Sequence, residues 1–198
     1  MPQTGKNENT IQFNYFINNE LINIKYRYGR KNFKLVKDAE KVFYNRDNIV
    51  GHDWCVIVEG EMDALSLYEA GIHNVVSVPN GATLNRLNLD YLDNCIEYFE
   101  DKSKIILATD SDEAGQNLQQ ELIRRFGAEV CWLASFGEYK DANEFIIANG
   151  RNAIRDAIHN AQPVPLENVV TVGDINEELE EFIYEGFKPG YQIGLDNF

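Results

Sequence analysis

One kind of stretch restricts this chain more than any other: a short β-branched apolar run that ends in a carboxylate, turns at a glycine and enters a helix. It reads Val56-Ile57-Val58-Glu59-Gly60-Glu61-Met62-Asp63-Ala64-Leu65. A second copy of the logic follows, Ile105-Ile106-Leu107-Ala108-Thr109 running into Asp110-Ser111-Asp112-Glu113-Ala114-Gly115, and a third takes Cys131-Trp132-Leu133 through a polar loop to Lys140-Asp141-Ala142-Asn143-Glu144. Apolar strands that deliver polar residues at their C-terminal ends are the pattern of open α/β sheets, whose ligand sites lie along that edge. If the three strands are parallel neighbours, Glu59, Asp63, Asp110, Asp112 and Asp141 converge, and so many negative charges in one place require cations.

Strand and helix signals alternate through residues 51–162. After the run at 55–58 a helical pattern ends at Gly71, residues 75–78 read as a strand, and 79–82 as a turn-rich loop. A helix is predicted over 89–99, a strand over 105–109, and a helix over 113–126 in which Ala114, Leu118, Leu122 and Phe126 recur every four residues before Gly127. A strand at 130–133 and one or two helices over 142–161 complete the alternation, which predicts parallel βαβ units. Residues 11–36 differ. Ile11, Phe13 and Tyr15 alternate, Asn18-Asn19-Glu20 turns the chain, and 21–28 alternates again with Ile22, Ile24, Tyr26 and Tyr28 on one face. A second turn at Gly29-Arg30 precedes 33–36, and 42–44 is read as a further strand, so this part is a small antiparallel meander. Pro163 and Pro165 break the pattern, and a short acidic amphipathic helix is expected over 175–184. The domain reading is therefore a β subdomain over 1–50, an α/β catalytic domain over 51–162 and a linker helix region over 163–198.

Composition narrows the class. Hydrophobic residues at 44% and aromatics at 12% argue for a folded core. The formal net charge of −14, from 18 Lys and Arg against 32 Asp and Glu, opposes tight independent binding to nucleic acid. The basic residues are unevenly spread, however, and eight of the 18 fall between Lys25 and Arg46. That run reads either as a solvated strand face or as a phosphate-contacting surface. Three cysteines, Cys55, Cys95 and Cys131, lack zinc-ligand or disulfide spacing. No signal peptide and no apolar run long enough to span a bilayer is visible, so a cytoplasmic protein without a membrane partner is expected.

Carboxylates at strand ends suit Mg²⁺, a hard cation that prefers oxygen ligands. Two such ions about 4 Å apart assist phosphoryl transfer by activating the attacking oxygen and stabilising the leaving one. Each acid also has a structural use: Asp63 at the positive end of its helix, Asp112 as a helix N-cap, and Asp141 with Glu144 as a variant capping box. Glu59, directly after Val56-Ile57-Val58, is poorly used as surface decoration, and five acids at three strand exits argue for a shared purpose.

Val-Glu-Gly-Glu-Met-Asp-Ala-Leu at 58–65, followed by Thr-Asp-Ser-Asp-Glu-Ala-Gly at 109–115, resembles the Toprim domain of bacterial DnaG-type primases, topoisomerases, recombination mediators and some nucleases. Lys140-Asp141-Ala142-Asn143-Glu144 is similar to phage primase–helicases and their mitochondrial-helicase relatives, as is the loop at 79–82. The resemblance covers residues 51–160. It implies a Toprim-like parallel sheet flanked by helices, preceded by an antiparallel β subdomain on the nucleotide and template side and followed by a helical linker. It implies Glu59, Asp110 and Asp112 as catalytic residues, with Asp63 and Asp141 completing a shell for Mg²⁺ or Mn²⁺, two ions in all. It also implies Arg30, Lys31, Lys34 and Lys140 as contacts to nucleotide or DNA. Residues 190–198 resemble the segment that opens a RecA-like helicase domain, yet no GxxxxGK[ST] phosphate loop is present. The expectation is thus a fragment of a phage or prophage primase–helicase, without a zinc module, acting on single-stranded DNA and NTPs beside a hexameric helicase. A non-catalytic Toprim module bracing a helicase and a Toprim nuclease are the alternatives.

Overall fold

The computed structural model describes residues 9–29, 32–80, 89–165 and 183. Residues 1–164 form one compact unit and 165–198 a second; the expected helix over 175–184 lies outside the described residues.

The chain opens with β1 (Thr10–Ile17), β2 (Glu20–Tyr28) and β3 (Asn32–Leu35) in an antiparallel sheet of that order. Asn18 and Asn19 adopt positive φ, 51° and 65°, which suits the two-residue hairpin turn, and both of their amides donate to the Asp47 carboxylate. Register, not apolar content, decides which face packs inward. Phe13 lies opposite Lys25 and Tyr15 opposite Asn23, so the face of β2 beside these two rings carries Asn23 and Lys25, while Ile22, Ile24, Tyr26 and Tyr28 share the other face. Asn23 is accommodated there because its amide donates to the Glu40 carbonyl at 2.8 Å.

The second sheet contains β4 (Trp54–Val58), β5 (Val75–Ser77), β6 (Lys104–Ala108), β7 (Cys131–Leu133) and β8 (Gln162–Pro163), in the order β5-β4-β6-β7-β8. The first four are parallel and β8 is antiparallel. Helices α1 (Glu61–Glu69), α2 (Asp90–Asp93), α3 (Glu113–Phe126) and α4 (Ala142–His159) connect them. From Cys55 to Val58 in β4 and from Ile105 to Ala108 in β6 the residues are apolar without interruption, because both runs are buried on both faces. Cys55, Ile57, Ile105 and Leu107 pack with Leu118 and Leu122 of α3 and with Phe13 and Tyr15 of the antiparallel sheet. Val56, Val58 and Ile106 pack on the other side with Leu67 of α1 and Ile154 and Ile158 of α4. Each such aliphatic contributes roughly 1.5–3 kcal/mol by leaving water.

Three expectations are corrected. Residues 42–44 form no strand; Tyr44 makes one bridge to Ser77, because β5 is only three residues long and the chain winds into a 3₁₀ turn at Arg46–Ile49. The helix predicted over 89–99 is α2 followed by a 3₁₀ turn at Ile96–Tyr98. Tyr91 and Phe99, on either side of that break, both pack on Phe43, at 4.9 Å and 5.2 Å between ring centroids. Pro163 ends the βα alternation but joins the sheet as β8, where an edge strand tolerates its missing N–H and Val164 N donates to Cys131 O. Among the described residues no helix is long and apolar enough to cross a membrane.

Candidate active site

The winding reverses at β4, which has β5 on one side and β6 on the other. Such a switch point opens a crevice at the C-terminal ends of the strands. Glu59 leaves β4 and Asp110 leaves β6 directly at this crevice, and the loop after β7 brings in Lys140 and Asp141.

Asp63 is the most deeply set of the five acids, 7% exposed in the first turn of α1. Its Oδ1 accepts the Asn143 amide at 3.0 Å, while the Asn143 side chain donates to Ser66 Oγ at 2.9 Å, so the start of α4 is fastened to α1. Gly60 leaves room beside it, since a Cβ there would stand 2.8 Å from Asp63 Oδ2 and displace that side-chain oxygen. Burial, with the Asp141 and Asp110 carboxylates adding to it, pushes the Asp63 carboxyl up to about 7, against the backbone hydrogen bonds of Asn143 and Gly60.

Asp110 and Asp112 share one cation. Lys140 Nζ lies 2.5 Å from Asp110 Oδ2 and 3.2 Å from Asp112 Oδ2. Burial raises the Asp110 carboxyl and Lys140 opposes that rise. Asp112 moves down instead, chiefly because its Oδ1 accepts the Gly115 amide at 3.0 Å as the N-cap of α3. Asp141 caps α4 in the same way, accepting the Glu144 amide at 2.8 Å, and Glu144 Oε2 accepts the Lys140 amide. The capping uses of Asp112 and Asp141 are therefore real, but Asp112 spends one oxygen on its helix and turns the other to the cation. Glu59 is half-buried, and together with burial its carboxylate raises the Tyr91 phenol.

A neighbouring group was not singled out from the sequence. Glu61, 2% exposed, accepts from Lys25 Nζ at 2.7 Å and from the Tyr15 hydroxyl, joining the antiparallel sheet to the first turn of α1. Its only signal was its place between Gly60 and Asp63; Lys25 could not be found without the β1–β2 register. Lys34 lies opposite Tyr26 in the sheet, on the face away from Lys25. Arg30 and Lys31 fall outside the described residues.

The donor set is carboxylate oxygen, the chemistry that hard divalent ions select. Among the described residues no three His, Cys, Asp or Glu side chains form a ready-made cage. Lys140 nonetheless acts as a stand-in ion, since Asp110 Oδ2 and Asp112 Oδ2 already converge on its single positive charge. The pair thus fits a cation.

Asp63 gives a direct test of the electrostatics. Its folded-state pKa lies above the ordinary 3.8, so the native protein holds an extra proton between about pH 7 and 3.8. Stability should therefore rise as pH falls through that window and be lowest above it. In the presence of chelator, Asp63→Asn keeps the acceptor for Asn143 and should stabilise the protein at pH 8 by about 1–3 kcal/mol while flattening this dependence. Equal urea midpoints for both proteins at pH 8 would rule the buried charge out as a cost.

Residues 56–146 match the Toprim-like family, Toprim_2. The chain is 38% identical over 178 residues to a primase homolog protein of Arabidopsis thaliana, a match covering 81% of this chain and 53% of that protein. It is 33% identical over 209 residues to the Twinkle homolog protein, chloroplastic/mitochondrial, of the same plant, covering 96% of this chain and 30% of that one. The crystal structure of the primase fragment of the bacteriophage T7 primase-helicase protein superposes with a TM-score of 0.65 at 27% identity, over 74% of this chain and 61% of that chain. The chain thus spans about half, and about a third, of the length of the two plant proteins. Residues 56–146 of this chain are thus a Toprim-like domain, and Glu59, Asp63, Asp110, Asp112 and Asp141 all lie inside it.

Proposed function

We propose that this chain is the catalytic core of a DNA primase, which joins ribonucleotides from NTPs into short RNA primers on a single-stranded DNA template and works beside a hexameric helicase domain of its parent protein. The observation that carries the reading is the meeting of Asp110, Asp112 and Lys140, with Asp63 and Asp141 within electrostatic reach, at the switch-point crevice. Glu59, Asp63, Asp110, Asp112 and Asp141 would hold Mg²⁺ or Mn²⁺, which supplies charge neutralisation on the triphosphate and acidity to the attacking 3′-hydroxyl.

The chain's own groups then do the positioning. Asp110 and Asp112 are held by burial and by the α3 cap, so little reorganisation is needed as charge develops. Lys140, half-exposed at the rim, offers positive charge to phosphates. Glu59, at the end of the strand that begins the crevice, would orient or deprotonate the nucleophile. The names of the plant and phage relatives support this reading.

The test is extension of a short RNA primer annealed to single-stranded DNA, with NTPs and Mg²⁺ or Mn²⁺. Ribonucleotide addition by the wild type, reduced about 10²–10³-fold in Glu59→Gln and in Asp110→Asn, is expected. Full activity in both variants would sink the assignment. Template degradation with the same residue dependence would make the protein a nuclease, and absence of any reaction despite binding to a helicase domain would make it a bracing module.

A further inference from the structure

Lys140 sits where a cation belongs, and the backbone puts it there. Its carbonyl accepts the Ser111 amide at 2.9 Å and its own amide donates to Glu144 Oε2 at 3.2 Å, so the main chain of residue 140 is fastened both to the Asp-x-Asp loop and to the start of α4. The side chain is not fastened in the same way. It is 45% exposed on a flexible four-carbon stem, whereas the Asp110 side chain it contacts is 10% exposed.

We propose that Lys140 is a resident counter-ion that exchanges with the divalent cation. In the metal-free protein its ammonium neutralises Asp110 and Asp112; on metal binding it leaves those oxygens and turns to the solvent side of the crevice, where it meets the phosphates of the nucleotide. This inference rests on the metal-dependent reading of the same site. Three considerations carry it. Asp110 Oδ2 and Asp112 Oδ2 converge on one position, 2.5 Å and 3.2 Å from the ammonium, so a single positive charge there serves both carboxylates. An ammonium has three donors and no acceptor and a divalent ion carries twice its charge, so the two repel and compete for Asp110 Oδ2. The fastened backbone keeps the displaced ammonium at the rim, so metal loading delivers a positive charge to the phosphate side. Metal and nucleotide then bind with positive coupling, each strengthening the other.

The experiment uses the full 198-residue chain and two readouts. Lysines are acylated with an N-hydroxysuccinimide acetate reagent, with chelator or with saturating Mn²⁺, and the labelling of Lys140 is measured by mass spectrometry against that of Lys34 on the far face of the antiparallel sheet. Mn²⁺ affinity is measured by the paramagnetic resonance of the free ion for wild type, Lys140→Met and Lys140→Arg. Exchange predicts severalfold greater labelling of Lys140 with Mn²⁺, and Mn²⁺ binding about fivefold tighter in Lys140→Met but unchanged in Lys140→Arg. The labelling arm separates displacement from mere removal of a charge. Labelling of Lys140 that is unchanged or reduced by Mn²⁺, or equal affinity in wild type and Lys140→Met, overturns the exchange and leaves the metal-dependent reading standing. Absence of Mn²⁺ binding in all three proteins overturns both.

Discussion

Gly115→Ala is expected to destabilise the protein by about 3 kcal/mol and to scatter the Asp110–Asp112 pair. Helix propensity alone points the other way, since alanine is favoured over glycine inside a helix by about 1 kcal/mol. Contact decides the sign. A Cβ at residue 115 would stand 2.2 Å from the Asp110 carbonyl oxygen, 2.8 Å from its carbonyl carbon and 2.9 Å from its Cβ. Most of these are main-chain atoms of the β6 exit and cannot rotate aside. The Gly115 amide is also the donor to Asp112 Oδ1, so pushing α3 away from Asp110 draws Asp112 with it. Urea unfolding gives the stability change, and Mn²⁺ titration reports whether the aspartates still share a cation. A variant as stable as the wild type, or more stable, would show that the loop gives way cheaply and that the glycine is not what sets the spacing.

Lys25→Met should cost about 3–5 kcal/mol, because it leaves the Glu61 carboxylate buried with, among the described residues, the Tyr15 hydroxyl as its remaining side-chain partner. Burial and the adjacent Glu61 keep the Tyr15 phenol protonated, so that donor remains. The double variant Lys25→Met with Glu61→Gln removes both charges and retains an acceptor for Tyr15; it should recover at least about 2 kcal/mol relative to the sum of the single changes. A double-mutant cycle by chemical denaturation measures this coupling. Single changes costing under about 1 kcal/mol would mean that solvent screens the pair, and the idea of a buried electrostatic tie between the antiparallel sheet and α1 would fail. Lys25 Nζ also lies 5.0 Å from the Phe33 ring, a second contact that the change to Met would remove.

Much of the fold was readable because its signals are local. Val56, Ile57 and Val58, and Ile105 to Ala108, are apolar without interruption, as strands buried on both faces must be, and glycine ends the helix of Leu118 and Leu122 where predicted. Local signals also misled. The apolar alternation of Ile22, Ile24, Tyr26 and Tyr28 marks a strand correctly but not the face that packs inward, which a pairing register of Phe13 with Lys25 assigns. The helix expected over 89–99 is broken where Tyr91 and Phe99 both pack on Phe43, more than forty residues upstream, a contact no local pattern announces.

The sequence by itself determined that carboxylates would stand at the ends of parallel strands, since residue order along a strand and the glycine turn after it are properties of the chain. It also determined that Asp112 and Asp141 could cap helices, a contact within three residues. Only the tertiary structure decided which oxygens meet. The β5-β4-β6 order brings the β4 and β6 exits together, the loop after β7 lays Lys140 between two aspartates thirty and twenty-eight residues away, and the sheet register sets Lys25 on Glu61. Charges interact through space over a few ångströms, and which residues come that close is set by how the elements pack rather than by their spacing along the chain.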